Sequence, residues 1–176
     1  TVSEVKFNGE DLSWRSYRVA GTVMHVRRLP ESIAPGEEGT LSLDWEFRVP
    51  GAGRSAPRGV SVVRQGHDRF HVFYLGYWYP QFAVREDGAG WVAEQYMGNA
   101  EFYMGYADYD LKFTVPEGWL VRATGTHGNA AEILTKTALE RLEKARNSRE
   151  VVQIIDRDDL ESGKVTRKSE NKKHTW

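Results

Sequence analysis

The sequence predicts a mainly β fold, an antiparallel β-sandwich with one peripheral α-helix. Three observations carry that expectation. Short apolar runs recur about every ten residues, separated by Gly, Pro and Asn-Gly turn signals. The clearest run, residues 41–49, alternates strictly: Leu41, Leu43, Trp45, Phe47 and Val49 share one face, and Ser42, Asp44, Glu46 and Arg48 the other. That is the period of a half-buried strand. Only one stretch, near residues 134–145, has helical spacing instead.

In chain order, Val2–Phe7 alternates apolar with polar residues and runs into Asn8-Gly9, a dipeptide suited to the left-handed conformations of a two-residue hairpin turn. Residues 14–19 and 22–26 read as two strands flanking Ala20-Gly21, and residues 30–39 (PESIAPGEEG) as a turn-rich connector. After the 41–49 strand, residues 50–59 form a loop of glycine, proline and arginine. Further strands are expected at residues 60–63, Phe70–Leu75, 82–85, 110–115, 119–123 and 151–155. In the helical stretch Leu134, Ala138, Leu142 and Ala145 share a face, and Thr135 or Asn129 stands where an N-cap belongs. Residues 160–174 (LESGKVTRKSENKKH) are polar and basic and read as a solvated hairpin or linker.

Composition narrows the function classes. The 176 residues suit one domain of ~100–200 residues and suffice to bury roughly two-thirds of the unfolded surface. Apolar residues at 40% and charged residues at 28% are ordinary for a globular chain. A net charge of −1 provides no field towards nucleic acid or an anionic membrane, and the basic run lacks the aromatic platforms of a single-strand binder. No apolar run reaches the ~20 residues of a membrane helix, and no signal peptide is recognisable. The first residue is Thr1, so the start of the gene product is expected upstream. There is no cysteine, hence neither disulfide nor thiol chemistry.

No complete catalytic site is legible. Of the five histidines, His67 and His71 have the i,i+4 spacing that brings two imidazoles to one metal on a helix. Here the segment reads as strand, where that spacing spans ~13 Å, so no metal site is assigned. The chain has no GxSxG elbow and no phosphate-binding glycine loop. Glu94 and Glu101 sit among aromatics able to raise a carboxyl pKa, which leaves a glycosidase-like pair as a minor reading.

The densest signal lies in residues 70–119, which hold Phe73, Tyr74, Tyr77, Trp78, Tyr79, Phe82, Trp91, Tyr96, Phe102, Tyr103, Tyr106, Tyr109 and Phe113. A β core is itself aromatic, so part of this is packing. Several of these residues nevertheless fall in turns (GYWYPQ and EQYMGNAEFYMGYADYD), and loop aromatics beyond the needs of a core line pockets or interfaces.

The same stretch carries a resemblance. Trp78-Tyr79-Pro80, Ala83-Val84, Gly90-Trp91, Gly98 with Glu101-Phe102-Tyr103, Tyr109-Asp110, Thr114-Val115-Pro116 and Ala123-Thr124-Gly125 follow in the order seen in the N-terminal domain of bacterial zinc metallopeptidases of the aminopeptidase N family. Upstream, VKFNGEDLSW and IAPGEEGTLSLDWEFRVP resemble that family's earlier strands. The match is specific over residues 77–125 and generic elsewhere. It implies a single N-terminal-type domain over residues 1–176, a saddle-like β-sandwich covering a separate catalytic domain of the same polypeptide. The HExxH zinc motif belongs to that catalytic domain and is absent here. The expectation is therefore a segment of a longer chain ending at Trp176 just before the catalytic part. It would hold no cofactor itself, zinc being implied for the missing domain, with peptide as substrate and no nucleic-acid or membrane partner. The resemblance places Tyr77, Trp78, Tyr79 and Gln81, with Glu101 and Tyr103, at the substrate pocket or domain interface, none of them catalytic. The compartment stays open, periplasmic and secreted settings both being compatible with the family. The rival reading from the residues is a stand-alone carbohydrate- or ligand-binding sandwich using the aromatics as a stacking platform.

Overall fold

Strands in this chain form where an alternating segment finds a partner, and they stop where the partner does. In the computed structural model, residues 1–51, 53, 58–65, 70–98, 100 and 103–176 are described, without the side chains of Gln65 and Phe70. Among them are eleven strands and three helices, arranged in small antiparallel sheets. The fold is mainly β. The chain divides into two compact units, Thr1–Ala107 and Asp108–Trp176.

The first unit begins with β1 (Val2–Phe7), which turns through Asn8-Gly9 into β2 (Glu10–Asp11). Asn8 and Gly9 have φ of 49° and 85°, the left-handed pair the hairpin signal requires. Asn8 also clamps its surroundings: Oδ1 accepts from Thr40 N at 2.9 Å and Nδ2 donates to Glu31 at 2.8 Å. On the other edge of β1 lies β5 (Leu41–Trp45), giving the sheet order β2-β1-β5. The expected strand to residue 49 is thus cut short. Val2 opposite Trp45 is the last pair of the ladder, and just beyond it Thr1 and Glu46 exchange backbone hydrogen bonds of 2.9 Å each. Val5, Phe7 and Leu12 are buried at the centre, with Tyr17, Met24, Val26, Leu41 and Leu43 packed on them. Gly39 is glycine for contact reasons, since a Cβ there would lie 2.6 Å from the Phe7 ring.

Three hairpins complete this unit: β3 (Tyr17–Ala20) with β4 (Val23–Val26), β6 (Val60–Gln65) with β7 (Phe70–Leu75), and β8 (Val84–Glu86) with β9 (Gly90–Val92). Trp14 and Phe82, expected to open strands, lie outside them and are 75% and 73% exposed. The β9 strand was not foreseen, because Gly90-Trp91-Val92 shows no alternation by itself and is a strand only opposite β8.

The second unit pairs β10 (Thr114–Pro116) with β11 (Lys173–Thr175), extended by reciprocal backbone bonds between Phe113 and Trp176. Here the single-helix expectation is corrected to three helices: α1 (Ala130–Ile133), α2 (Lys136–Arg146) and α3 (Arg157–Ser162). Both foreseen cap residues hold cap positions, but on different helices. Asn129 precedes α1 without a side-chain cap bond, whereas the Thr135 hydroxyl accepts from Ala138 N and caps α2. Leu134 is extended between the two, and Ala130, Leu134 and Ala138 form a buried cluster with Leu139, Leu142, Ile155 and Trp176 around it.

Strands expected at 119–123 and 151–155 are absent. A turn closed by Trp119 N on Pro116 O, with Gly118 at φ 86°, leaves the first without a ladder. In the second, the Ile154 carbonyl accepts from Arg141 instead of a strand partner, and Asp156 starts α3 through a capping box. The basic run at 160–174 is not wholly solvated either. It contains Val165, 2% exposed and the most buried large side chain described, followed by buried Thr166.

Candidate functional site

Residues 77–81 leave β7 as an irregular segment, and the structure sets them beside the end of β5. Trp45 Nε1 donates to the Trp78 carbonyl at 3.3 Å, and the two indoles lie 6.3 Å apart at 34°. Tyr79 meets Trp78 edge-on at 5.3 Å, an arrangement favoured by the ring quadrupoles. Leu43, Asp44, Trp45, Glu46, Phe47 and Trp78 line a shallow open cleft here. Trp45 was expected on a buried strand face. It is 37% exposed even with Trp78 beside it, and Phe47 is also exposed. Of that alternating face Leu41, Leu43 and Val49 are half-buried, and Trp45 and Phe47 are exposed.

Among the residues expected at the site, Trp78 and Tyr79 are half-buried, and Tyr77 and Gln81 are exposed. Tyr103 stands apart on another contact: its hydroxyl donates to Glu86 Oε1 at 2.6 Å. That hydrogen bond to a carboxylate favours the protonated phenol and raises the Tyr103 pKa above its ordinary value. Glu101 lies outside the described residues, as does His67. The Glu94–Glu101 and His67–His71 pairs therefore have no described geometry. His71 sits on β7 opposite Arg64. Among the described residues no group of three or more His, Asp or Glu side chains is placed to hold a metal ion. No helix among the described residues is long and apolar enough to cross a membrane.

Gln95, which the sequence did not mark, and Tyr96, one of the aromatics of residues 70–119, make long-range hydrogen bonds in this unit. Gln95 Oε1 accepts from Thr22 N at 2.8 Å, its Nε2 donates to Ala20 O at 2.9 Å, and the Tyr96 hydroxyl accepts from Arg58 N at 2.9 Å. Partners lying 38 to 75 residues away leave no local pattern to read.

Around this site the first unit exposes many large apolar side chains: Val72, Phe73 and Tyr74 on β7, Trp91 on β9, and Met97, Tyr103 and Tyr106 beyond it. On β7, Val72 and Tyr74 point to one side of the hairpin and Phe73 to the other, so both faces carry exposed apolar groups.

Comparison with protein families, with curated proteins and with solved structures finds no match.

Proposed function

We propose that this chain is a non-catalytic N-terminal-type module of a zinc-dependent, aminopeptidase-like metallopeptidase, which covers the catalytic domain and shapes its peptide-binding cleft. The observation that carries the reading is the ordered run of motifs between Tyr77 and Gly125, which resembles that family over its whole extent. Two features of the fold support it. The segment 77–79 is held beside Trp45, and the first unit exposes several large aromatic side chains, Trp91, Tyr103 and Tyr106 among them. In this reading the small antiparallel sheets are parts of a saddle-like β-sandwich. The zinc and its activated water belong to the catalytic domain, and peptide is the substrate.

The direct test is the reading frame downstream of Trp176. An HExxH motif encoded there is the expected result, and a frame that continues without one overturns the proposal. In the protein containing that motif, Gln81→Ala should lower kcat/KM, because a polar group lining the cleft positions the peptide and contributes transition-state binding. A change on the exposed β2 residue Glu10 should leave it unaltered. The alternative is a carbohydrate- or ligand-binding module, favoured by one observation: Trp91 is 61% exposed on a short hairpin, as a stacking platform would be. Saturable quenching of tryptophan fluorescence by oligosaccharides, lost in Trp91→Ala, would move the assignment to that class.

A further inference from the structure

The aromatic segment 77–79 lies outside any strand, so its placement needs fixing from elsewhere. A continuous path of contacts provides it. It starts at the β3–β4 turn, where the Gln95 amide accepts from both Thr22 N and Thr22 Oγ1, at 2.8 and 3.2 Å, and donates to Ala20 O. Two donors facing Oε1 and a carbonyl facing Nε2 define the orientation of the amide. Tyr96 N returns a bond to Thr22 Oγ1 at 2.7 Å, so one threonine hydroxyl donates to Gln95 and accepts from Tyr96. Gly21 makes room: its φ is 60°, and a Cβ there would lie 2.2 Å from Gln95 Oε1.

From Tyr96 the path crosses to the start of β6. The Tyr96 hydroxyl accepts from Arg58 N, fixing the backbone next to Gly59. Gly59 O accepts from Gly76 N, and the Tyr77 ring lies directly on Gly59, where a Cβ would come within 2.3 Å of it. Tyr77 leads to Trp78, whose carbonyl receives Trp45 Nε1. Apart from the chain step from Tyr77 to Trp78, each link is a hydrogen bond or a close backbone–ring contact between segments distant in sequence.

We infer that Gln95 and Tyr96 are positioning residues, which set the placement of residues 77–79 against Trp45 by clamping the β3–β4 turn and residues 58–59. The role assigned to that segment as a cleft wall rests on the function proposed above; the clamp itself does not. Both residues are exposed, so each bond competes with water and contributes modestly. The bonds act together because they converge on one threonine and one glycine.

The test uses this chain and the exciton couplet that two indoles 6.3 Å apart give in far-ultraviolet circular dichroism. Trp78→Phe abolishes the couplet and so assigns it. Gln95→Ala is expected to lose most of its intensity at a temperature where the variant is still folded, and Tyr96→Phe a smaller part. Thr22→Ala should resemble Gln95→Ala, while Thr22→Ser, which keeps the hydroxyl, restores the signal. The neighbouring exposed Met97→Ala should leave it at the wild-type value. A wild-type couplet in folded Gln95→Ala overturns the inference. Should Gln95→Ala fail to fold, wild-type couplets in both Thr22→Ala and Tyr96→Phe overturn it equally. Loss of the couplet without any effect of Gln81→Ala on kcat/KM in the longer protein would leave the clamp standing and remove the cleft function.

Discussion

In residues 1–107 the apolar surface is carried by hairpins, whereas in residues 108–176 it is carried by helices whose ends are tied down by polar side chains. The second unit secures most of its connections. Arg141 on α2 reaches Asp156 and Asp159 at the start of α3, Glu117 accepts from Ser169 N at 2.8 Å and from Lys168 Nζ at 2.9 Å, and Arg167 Nε donates to Leu134 O. The unit also holds a ring pair, His127 with Trp176, in which each ring keeps a buried nitrogen without a hydrogen-bond partner among the described residues. The first unit has a well-formed centre at Val5, Phe7 and Leu12, but from β5 onwards it leaves valines, tyrosines and tryptophans at the surface. The difference teaches where to look for a partner. Both units leave apolar side chains exposed, Tyr109 and Val151 in the second among them, but among the described residues most of the exposed large aromatics belong to the first.

The comparison can be broken at its strongest point first. Phe7→Ala should cost about 3–5 kcal/mol, the usual loss for a buried aromatic, and should lower amide protection through β1 and β5. If urea titration shows a loss no larger than that of a surface change, the first unit has no real core. Trp45→Ala should cost clearly less than that ~3–5 kcal/mol, because its ring is already partly in water, and Glu46→Ala should stay within about 0.5 kcal/mol. A Trp45 loss equal to that of Phe7 would mean the end of β5 is covered in solution. Thr135→Ala removes the cap of α2 and should cost about 1 kcal/mol, read from the helical signal of the second unit. No change there would show that α2 depends on packing alone.

The smallest effect concerns pH and sharpens the contrast in polar ties. In the second unit the Asp156 backbone N–H, with Arg141 behind it, holds the Asp159 carboxyl below its ordinary pKa. The Ser169 backbone N–H and then Lys168 do the same for Glu117. Depressed folded values mean stability that is fully present above the unfolded values of about 3.9 and 4.3 and is lost as pH falls through the folded ones. Tyr103 in the first unit works in the opposite sense. Its raised folded value gives stability present below about 10 and lost as pH rises through it. Acid titration of Glu117→Gln should therefore show a shallower stability loss than wild type below the usual carboxylate range. Identical acid profiles would mean that the Ser169 contact does not persist in solution.

Much of the chain was legible before any coordinates. Strict alternation located β1 and β5, Asn8-Gly9 located its turn, and Phe70–Leu75 coincides with β7. The residues Tyr77, Trp78 and Tyr79 stood out because aromatics in a turn are unusual. What was lost is of one kind. Residues 119–123 and 151–155 are short apolar runs that read as strands yet make none, while Lys173–Thr175 looks like a polar tail yet makes one. Periodicity reports which face of a segment is apolar; it does not report whether a second segment arrives to share its hydrogen bonds.

By itself, then, the sequence determined the mainly β character, the hairpin turn at Asn8-Gly9, a helix cap at Thr135 or Asn129 and the aromatic density of residues 70–119. These rest on local terms, on φ preferences and side-chain periodicity that act within a few residues. Only the tertiary structure decided that β5 ends at Trp45, that Val165 is buried inside a basic run, and that Gln95 and Tyr96 reach back to Thr22 and Arg58. Those outcomes depend on which distant segments meet. The free energy of such meetings comes from burial and hydrogen bonding between residues far apart in sequence, where no local pattern records them.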